Sequence, residues 1–334
     1  MINTISNKTI DLIFKTYPYC HDFFESMVVD YPPKDKYHLT IKEYFDSLDS
    51  YELQLKGIEQ ESLIEQFISF LENMKERQKN VQWNIKSLTI IGGQNKFGEP
   101  ENISLYLKPG DVVSIVGPTG SGKSRLLGDI EWLAQGDTPT RRKILVNDTV
   151  PPQSWRFSIE HKLVAQLSQN MNFVMDLTVA DFIKMHGESR MISDVENKIQ
   201  VILEKANELA GEKISLDTPV TALSGGQSRA LMIADTAFLS SSPIVLIDEI
   251  ENAGIDRKIA ISLLVKNEKI VLIATHDPVL ALSAERRIVI KNGGIDKIII
   301  TSPKEKEQLH ELEALNQKLM YYRELLRTGA SIED

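Results

Sequence analysis

The stretch Val112–Ala134 reads VVSIVGPTGSGKSRLLGDIEWLA and is the most informative part of the sequence. Its first part, VVSIV, has the continuous apolar character of a buried strand, and RLLGDIEWLA has the spacing of a helix. Between them lies GPTGSGKS, the segment Gly117–Ser124. A glycine-rich loop between a strand and a helix lets backbone N–H groups surround phosphate oxygens. The sequence therefore predicts a phosphate loop in an α/β protein.

Every residue of the phosphate loop is assigned to nucleotide binding: Gly117, Pro118, Thr119, Gly120, Ser121, Gly122, Lys123 and Ser124. Lys123 supplies a cation close to the β- and γ-phosphates, and the Ser124 hydroxyl is a suitable ligand for Mg²⁺. We therefore expect a nucleotide to bind at this loop, with Mg²⁺ as the cofactor.

Two further apolar strands end in polar residues that complete this chemistry. IVLIDE places Asp248 where it can hold Mg²⁺ and Glu249 where it can polarise an attacking water. ATHDP ends the next strand with His276, which can donate to the γ-phosphate and orient the water. Glu249 and His276 are the expected catalytic residues.

Composition indicates a soluble, globular and cytoplasmic chain. It has 334 residues, of which 42% are hydrophobic, and its one cysteine, Cys20, has no internal disulfide partner. No apolar run approaches the roughly 18 to 20 residues that span a bilayer. A net charge of −9 argues against nucleic acid as a partner.

Three regions differ in their hydrophobic pattern. Residues 1–84 are predicted to form a helical, aromatic-rich N-terminal extension, and 85–300 an α/β domain with a helical subdomain at about 178–222. Within the subdomain, Ser193 and Glu196 have the spacing of a capping box. In the α/β domain, Asn292-Gly293 predicts a hairpin turn. Residues 301–334 are predicted to form a helix with Ser302 as its N-cap and Gly329 at its end, followed by the tail.

A second glycine-containing loop occurs in TALSGGQSRA, and the ordered set of motifs resembles the ATP-binding cassette (ABC) ATPases. The resemblance covers about Leu88 to Lys297. It follows the family's order of phosphate loop, glutamine loop, LSGGQ signature, IDE, aspartate loop and switch histidine. It implies a P-loop NTPase of ABC type, with a mixed sheet core, an antiparallel β addition and a helical subdomain.

The resemblance also implies residue roles that spacing alone does not give. A glutamine of AQLSQNMNFVMDLTV should reach the metal, and Gln169 is favoured over Gln166. An aromatic residue before the phosphate loop should stack on adenine, and Phe97 is the candidate, with a core or turn position as the equally weighted alternative.

The LSGGQ motif implies a paired protein, because in this family it contacts ATP bound to another cassette. Ser224, Gly225, Gly226 and Gln227 are thus expected to bind nucleotide across the interface, and Asp256 to act in the dimer contact or switch. The chain has one phosphate loop and one signature. We therefore expect a head-to-tail homodimer, with a heterodimer of two cassettes as the alternative.

Departures from the transporter pattern favour a soluble role on sequence grounds. DEIENAGID has Ile250 in place of a proline, and Asp235 occupies a position that usually holds arginine. We expect an ATPase that remodels or reactivates a soluble protein partner. The alternative is the ATP-binding subunit of a transporter, peripheral to the membrane and bound to membrane-spanning subunits. A DNA repair or maintenance ATPase ranks third, since no long coiled coil interrupts the core.

Overall fold

The computed structural model describes residues 5–80, 84–157, 162–168, 173–190, 192, 194–249 and 255–332. These residues form two compact units. One comprises the described residues of Met1–Gln82, Asp176–Leu203 and Ser215–Val220, and the other those of Trp83–Met175, Glu204–Ile214 and Thr221–Asp334. The boundaries 1–84, 85–300 and 301–334 stay a prediction.

The first unit begins with a helical module built on aromatic side chains. Its helices are α1 (Ile10–Thr16), α2 (His21–Ser26), α3 (Ile41–Asp46), α4 (Ser50–Leu55) and α5 (Gln60–Asn80), with short 3₁₀ turns at Pro18–Cys20 and Lys34–Lys36. Phe23 and Phe67 meet edge to face with ring centroids 5.0 Å apart, and Phe45 packs on Phe67 at 5.7 Å. This packing gives the module a hydrophobic core of its own.

Cys20 lies fully buried in the aromatic core of this module. Burial raises the pKa of its thiol to about 12, and the charge of Asp22 adds to the effect. The thiolate is the reactive form of cysteine, so this thiol is protonated and inert at neutral pH.

Two helices contribute most of the remaining described residues of the first unit, as the sequence predicts for the region after Thr178. Helix α8 spans Val179–Ser189, and the Thr178 side chain caps it by accepting from the Asp181 N–H at 3.1 Å. Helix α9 spans Val195–Leu209 and contributes its residues after Leu203 to the second unit. Ser193 of the expected capping box lies outside the described residues.

The second unit contains two sheets. The strands β1 (Leu88–Ile91), β2 (Ser104–Leu107) and β4 (Lys143–Val146) form an antiparallel sheet in the order β2-β1-β4. A six-stranded sheet has the order β5-β6-β7-β3-β8-β9, with β3 at Val112–Val116, β5 at Val164–Leu167, β6 at Ile244–Asp248, β7 at Ile270–Ala274, β8 at Arg286–Lys291 and β9 at Gly294–Ile300. The expected mixed core with an antiparallel addition is confirmed.

Helices connect and flank these strands: α6 (Lys123–Glu131), α7 (Gln153–Phe157), α10 (Gly225–Phe238), α11 (Arg257–Lys266), α12 (Pro278–Ser283) and α13 (Pro303–Arg327). A 3₁₀ turn, Val220–Ala222, precedes α10. None of the helices in the described part of the chain combines the length and the apolar character needed to cross a membrane.

The order of the large sheet determines where the polar loops meet. Strands β6, β7 and β3 are parallel neighbours. Loops that follow adjacent parallel strands lie at the same edge of the sheet. The phosphate loop, the Asp248–Glu249 pair and His276 are therefore brought to one edge.

The predicted hairpin and tail helix are both confirmed. Asn292 and Gly293 turn β8 into antiparallel β9 with φ values of 51° and 79°, as a tight hairpin turn requires. At the start of α13 the Ser302 N–H donates to Glu305 at 2.8 Å, and the Glu305 N–H donates to Ser302 Oγ at 3.3 Å. The Gly329 N–H donates to Leu326 O at 3.2 Å just after the helix ends.

A buried arginine connects the two sheets of this unit. Arg142, which immediately precedes β4, has no exposed surface. Its Nε and Nη2 donate to Glu101 at 2.9 and 2.5 Å, and its Nη1 donates to Asp129 of α6 at 2.8 Å. Nη2 also donates to Gly293 O at 3.2 Å. One guanidinium therefore joins the small sheet, the helix after the phosphate loop and the β8–β9 turn.

The ionised form of Glu101 depends on this network. Burial alone would raise the pKa of its carboxyl. Hydrogen bonds from Arg142 and from the N–H groups of Gly93 and Ile295 together outweigh burial, so the pKa lies below its usual value. Glu101 therefore stabilises the fold at pH values above its ordinary pKa, and this contribution is lost as the pH falls through the lowered value.

Arg142→Met should lower the free energy of unfolding by about 3 to 5 kcal/mol, because the carboxylates of Glu101 and Asp129 would stay buried without their cation. Urea unfolding at pH 7 measures the change. Arg156→Met is the control, since Arg156 pairs with the half-exposed Asp137, and it should cost about 1 kcal/mol or less. Equal effects of the two changes would contradict the importance given to Arg142.

Candidate functional site

Lys123 is held at the first turn of α6 by three neighbours. Its side chain is buried, and its Nζ donates to Gly117 O at 3.0 Å and to Pro118 O at 3.4 Å. It also lies 2.9 Å from His276 Nε2. A lysine ammonium has only donors, so Nε2 of His276 accepts and the ring proton lies on Nδ1. The cation predicted to bind phosphate thus contacts the predicted switch histidine.

The β8–β9 turn packs directly against the phosphate loop. Gly122 has φ of +108°, and a Cβ at this position would lie 2.9 Å from the Cα of Gly293. The Gly293 N–H donates to Ser121 O at 2.8 Å. A side chain at Gly122 would therefore push the loop off its support as well as strain its backbone.

Ser124 and Asp248 have the chemistry and placement of magnesium ligands. Ser124 Oγ donates to Asp248 Oδ2 at 3.3 Å across the edge of the sheet. Mg²⁺ prefers oxygen ligands and usually takes one or two from the protein, with phosphate and water supplying the rest. The described residues contain no group of three or more His, Cys, Asp or Glu able to hold a metal. These two residues fit Mg²⁺.

Glu249 has an unusual backbone conformation beside this pair. Its φ is +50°, and its N–H donates to Ala274 O at 3.0 Å. A non-glycine residue in the left-handed region is uncommon, and such residues concentrate at functional sites. Glu249 Oε1 lies 3.6 Å from His276 Nε2. The two predicted catalytic side chains are therefore neighbours.

Lys123, Ser124, Glu249 and His276 line a cavity of about 690 Å³. Its lining includes three cationic side chains, Lys96, Lys123 and Arg125, and one carboxylate, Glu249. The chain as a whole has a net charge of −9. The positive lining is thus a local feature, and it suits a polyphosphate.

Several residues of this cavity are not among the sequence predictions: Gln94, Asn95, Lys96, Arg125, Thr140 and Gly293. Arg125 directly follows the phosphate loop, and residues 94–96 directly precede the predicted Phe97. The sequence position of these four residues next to predicted site residues could therefore have identified them. Thr140 and Gly293 reach the cavity through the order of the strands, for which the local sequence has no signal.

The adenine-stacking and glutamine predictions remain predictions. Phe97 is 66% exposed and lies under Lys96 Nζ, which is 5.0 Å from the ring centroid, while its neighbours Lys96 and Gly98 line the cavity. Gln169 lies outside the described residues. Gln166 is exposed on β5 and does not line the cavity.

The signature loop, Leu223–Gln227, begins helix α10. Ser224 Oγ accepts from the Gln227 N–H at 3.3 Å, and Gln227 Oε1 accepts from the Ser224 N–H at 2.9 Å, which is a capping box. Ser224 and Gly225 are exposed, and no signature residue lines the cavity. The first residues of α10 are thus exposed to solvent and lie outside the lining of the cavity that the chain's own phosphate loop borders.

Comparison with known proteins identifies the family. The ABC transporter family model matches residues 100–252. An uncharacterized ABC transporter ATP-binding protein from Methanocaldococcus jannaschii is 54% identical over 246 residues, which cover 73% of this chain and 94% of the relative. The maltose/maltodextrin import ATP-binding protein MalK from Photorhabdus laumondii is 30% identical over 63% of this chain and 57% of the relative.

Solved structures agree at the level of the fold. The chain is similar to cbiO1 from Clostridium perfringens, described as part of the ABC transporter complex cbiONQ, with 20% identity and a TM-score of 0.52. That match covers 72% of this chain and 99% of the other. The chain belongs to the ABC family of ATP-binding cassettes, and it is an ATPase.

Replacing the predicted catalytic carboxylate should separate binding from turnover. Glu249→Gln keeps the size and polarity of the side chain but loses the charge that polarises water, so kcat should fall about 10²-fold or more while ATP still binds. Lys123→Ala should weaken ATP binding itself, because the buried cation is lost. Equilibrium binding of ATP and steady-state hydrolysis distinguish the two effects.

Glu268→Gln is the matched control for this experiment. Glu268 also has a positive φ, of 54°, but it is exposed and does not line the cavity. Its turnover should equal that of the parent. Parental turnover in Glu249→Gln would remove Glu249 from the catalytic role.

Proposed function

We propose that the chain is the ATP-hydrolysing subunit of a membrane transporter and works at the cytoplasmic face of the membrane with separate membrane-spanning chains. The observation that carries this proposal is the 54% identity with an ABC transporter ATP-binding protein over 94% of that relative. The comparisons thus favour this alternative over the soluble remodelling ATPase that the sequence analysis ranks first.

The geometry supports separate roles for the metal-binding and the catalytic residues of the site. Ser124 and Asp248 would hold Mg²⁺, which when bound neutralises charge on the phosphate oxygens. Glu249 would polarise the attacking water, and His276 would orient that water and contact the γ-phosphate. The 3.6 Å separation of Glu249 and His276 lets both reach the same small volume.

Nucleotide binding would change the partner of Lys123. Its Nζ now directs one donor to His276 and the others to Gly117 O and Pro118 O. Phosphate oxygens are stronger acceptors for an ammonium group than a neutral imidazole. ATP would therefore draw Lys123 away from His276. Nε2 of the freed ring would then carry a proton and donate it in a hydrogen bond to the γ-phosphate.

ABC ATPases function as dimers, and we propose that this chain forms head-to-tail pairs. The exposed N-terminus of α10, with Ser224 and Gly225, would contact the ATP held by the phosphate loop of the partner. Helix N-termini favour anions through their free N–H groups and dipole. The same chain would supply both surfaces in a homodimer, and a second cassette would supply one in a heterodimer.

Mixing two inactive variants tests the shared sites. Ser224→Arg places a bulky cation against the γ-phosphate, and Lys123→Ala weakens nucleotide binding, so each should be inactive alone. Their mixed dimer has one site with both parts intact. An equimolar mixture should recover about a quarter of the parental ATPase rate if the sites act independently in a two-fold dimer.

A second mixture provides the control for this recovery. Lys123→Ala and Glu249→Gln both alter the phosphate-loop side, so their mixed dimer has no intact site and should stay inactive. ATP-dependent dimerisation of each variant is measured by sedimentation. Parental hydrolysis by Ser224→Arg alone would contradict a role for the signature loop in the shared site.

Affinity purification tests the transporter role. Tagged Glu249→Gln chain, trapped with ATP, should retain a membrane-spanning chain from detergent-solubilised membranes of the source cells, and tagged Lys123→Ala should retain less because it binds ATP poorly. Mass spectrometry identifies what is retained. Recovery of a soluble enzyme without any membrane-spanning chain would instead favour the soluble remodelling role.

A further inference from the structure

The segment that presents His276 is fixed on both sides. Before it, the Thr275 N–H donates to Ile115 O of β3 at 3.1 Å. After it, the Asp277 N–H donates to Thr275 Oγ1 at 2.9 Å. Asp277 Oδ1 accepts from the Leu280 N–H at 2.9 Å and so caps α12. The position of His276 therefore depends on how firmly Asp277 is held.

The second carboxylate oxygen of Asp277 is held by an arginine from another helix. Arg257, the first residue of α11, donates from Nη1 to Asp277 Oδ2 at 2.5 Å. The two side chains are only 19% and 15% exposed. A charge-assisted bond this shielded from water is stronger than a surface ion pair.

The bond also links two predicted functional positions. Arg257 directly follows Asp256, whose side chain caps α11 by accepting from the Ile259 N–H at 3.0 Å. Asp277 directly follows His276. The start of α11 and the start of α12 are thus joined by one ion pair, with Asp256 next to one end and His276 next to the other.

We propose that Arg257 is a positioning residue for hydrolysis, which holds Asp277 and thereby fixes His276 against Lys123 and Glu249. The inference rests on the role proposed for His276. Without Arg257, Oδ2 of Asp277 loses its partner and the carboxylate can rotate away from its capping geometry. A displacement of about 1 Å at a catalytic group can cost up to about 10²-fold in rate.

The test compares Arg257→Met with Lys258→Met. Lys258 is the next residue of α11 and pairs with Glu313 of α13 at 2.7 Å, but its side chain is 65% exposed. Arg257→Met should lower kcat by about tenfold or more, with the Kd for ATP unchanged within about twofold, because binding groups stay in place. Lys258→Met should match the parent in both.

Two further variants distinguish positioning from loss of structure. Arg257→Lys keeps the charge without the planar guanidinium, so it should recover part of the lost kcat. Asp277→Asn keeps an oxygen for the cap but loses the charge, so it should reproduce the defect of Arg257→Met. The double variant should be no worse than either single one. Thermal unfolding checks that each variant is folded.

The His276→Ala chain separates failure of this inference from failure of the proposed role of His276. Adding Arg257→Met to His276→Ala should cause no further fall in kcat. Parental turnover of His276→Ala would defeat the role of His276 and the inference with it. A defective His276→Ala chain beside a parental Arg257→Met chain, or a parallel loss of ATP affinity and thermal stability in Arg257→Met, would overturn the inference alone.

Discussion

The bonds from Arg142 to Glu101 and Asp129 are the interaction on which the nucleotide site depends. Each partner belongs to a different part of the second unit, and the same guanidinium reaches the Gly293 carbonyl. Gly293 in turn donates to Ser121 of the phosphate loop. Two buried carboxylates without this cation would carry a large desolvation cost. The arginine therefore stabilises the arrangement in which these elements meet around it.

That arrangement explains why the phosphate loop has its shape. The loop consists mainly of glycine, serine and threonine, so it has little apolar surface with which to pack. Backbone hydrogen bonds must hold it instead, and Gly293 supplies one from the hairpin turn. Gly122 is required because the two backbones approach too closely for a Cβ. The phosphate loop and the β8–β9 turn thus pack backbone against backbone, and the bond from Arg142 to the Gly293 carbonyl holds the turn in place.

The sequence predicts the local features of this fold well and the long-range ones poorly. The strand, loop and helix around Gly117–Ser124, the turn at Asn292-Gly293 and the cap at Ser302 each depend on neighbouring residues, so their signals are local. The Arg142 network and the cavity wall at Thr140 depend on strand order, and a single sequence does not determine that order. The adenine-stacking role of Phe97, whose ring is 66% exposed, stays a prediction.

The functional loops share a mode of support that follows from their chemistry. A residue that must contact phosphate or water cannot also be buried among apolar side chains, so the hydrophobic core cannot fix it directly. In this protein two arginines with little exposed surface provide that support instead. Arg142 acts through Gly293 on the phosphate loop, and Arg257 acts through Asp277 on the segment that carries His276. A guanidinium suits this purpose because its rigid fork fixes both the distance and the orientation of its acceptors. The two loops meet where Lys123 contacts His276. Loss of either arginine would therefore displace the same two atoms, Lys123 Nζ and His276 Nε2.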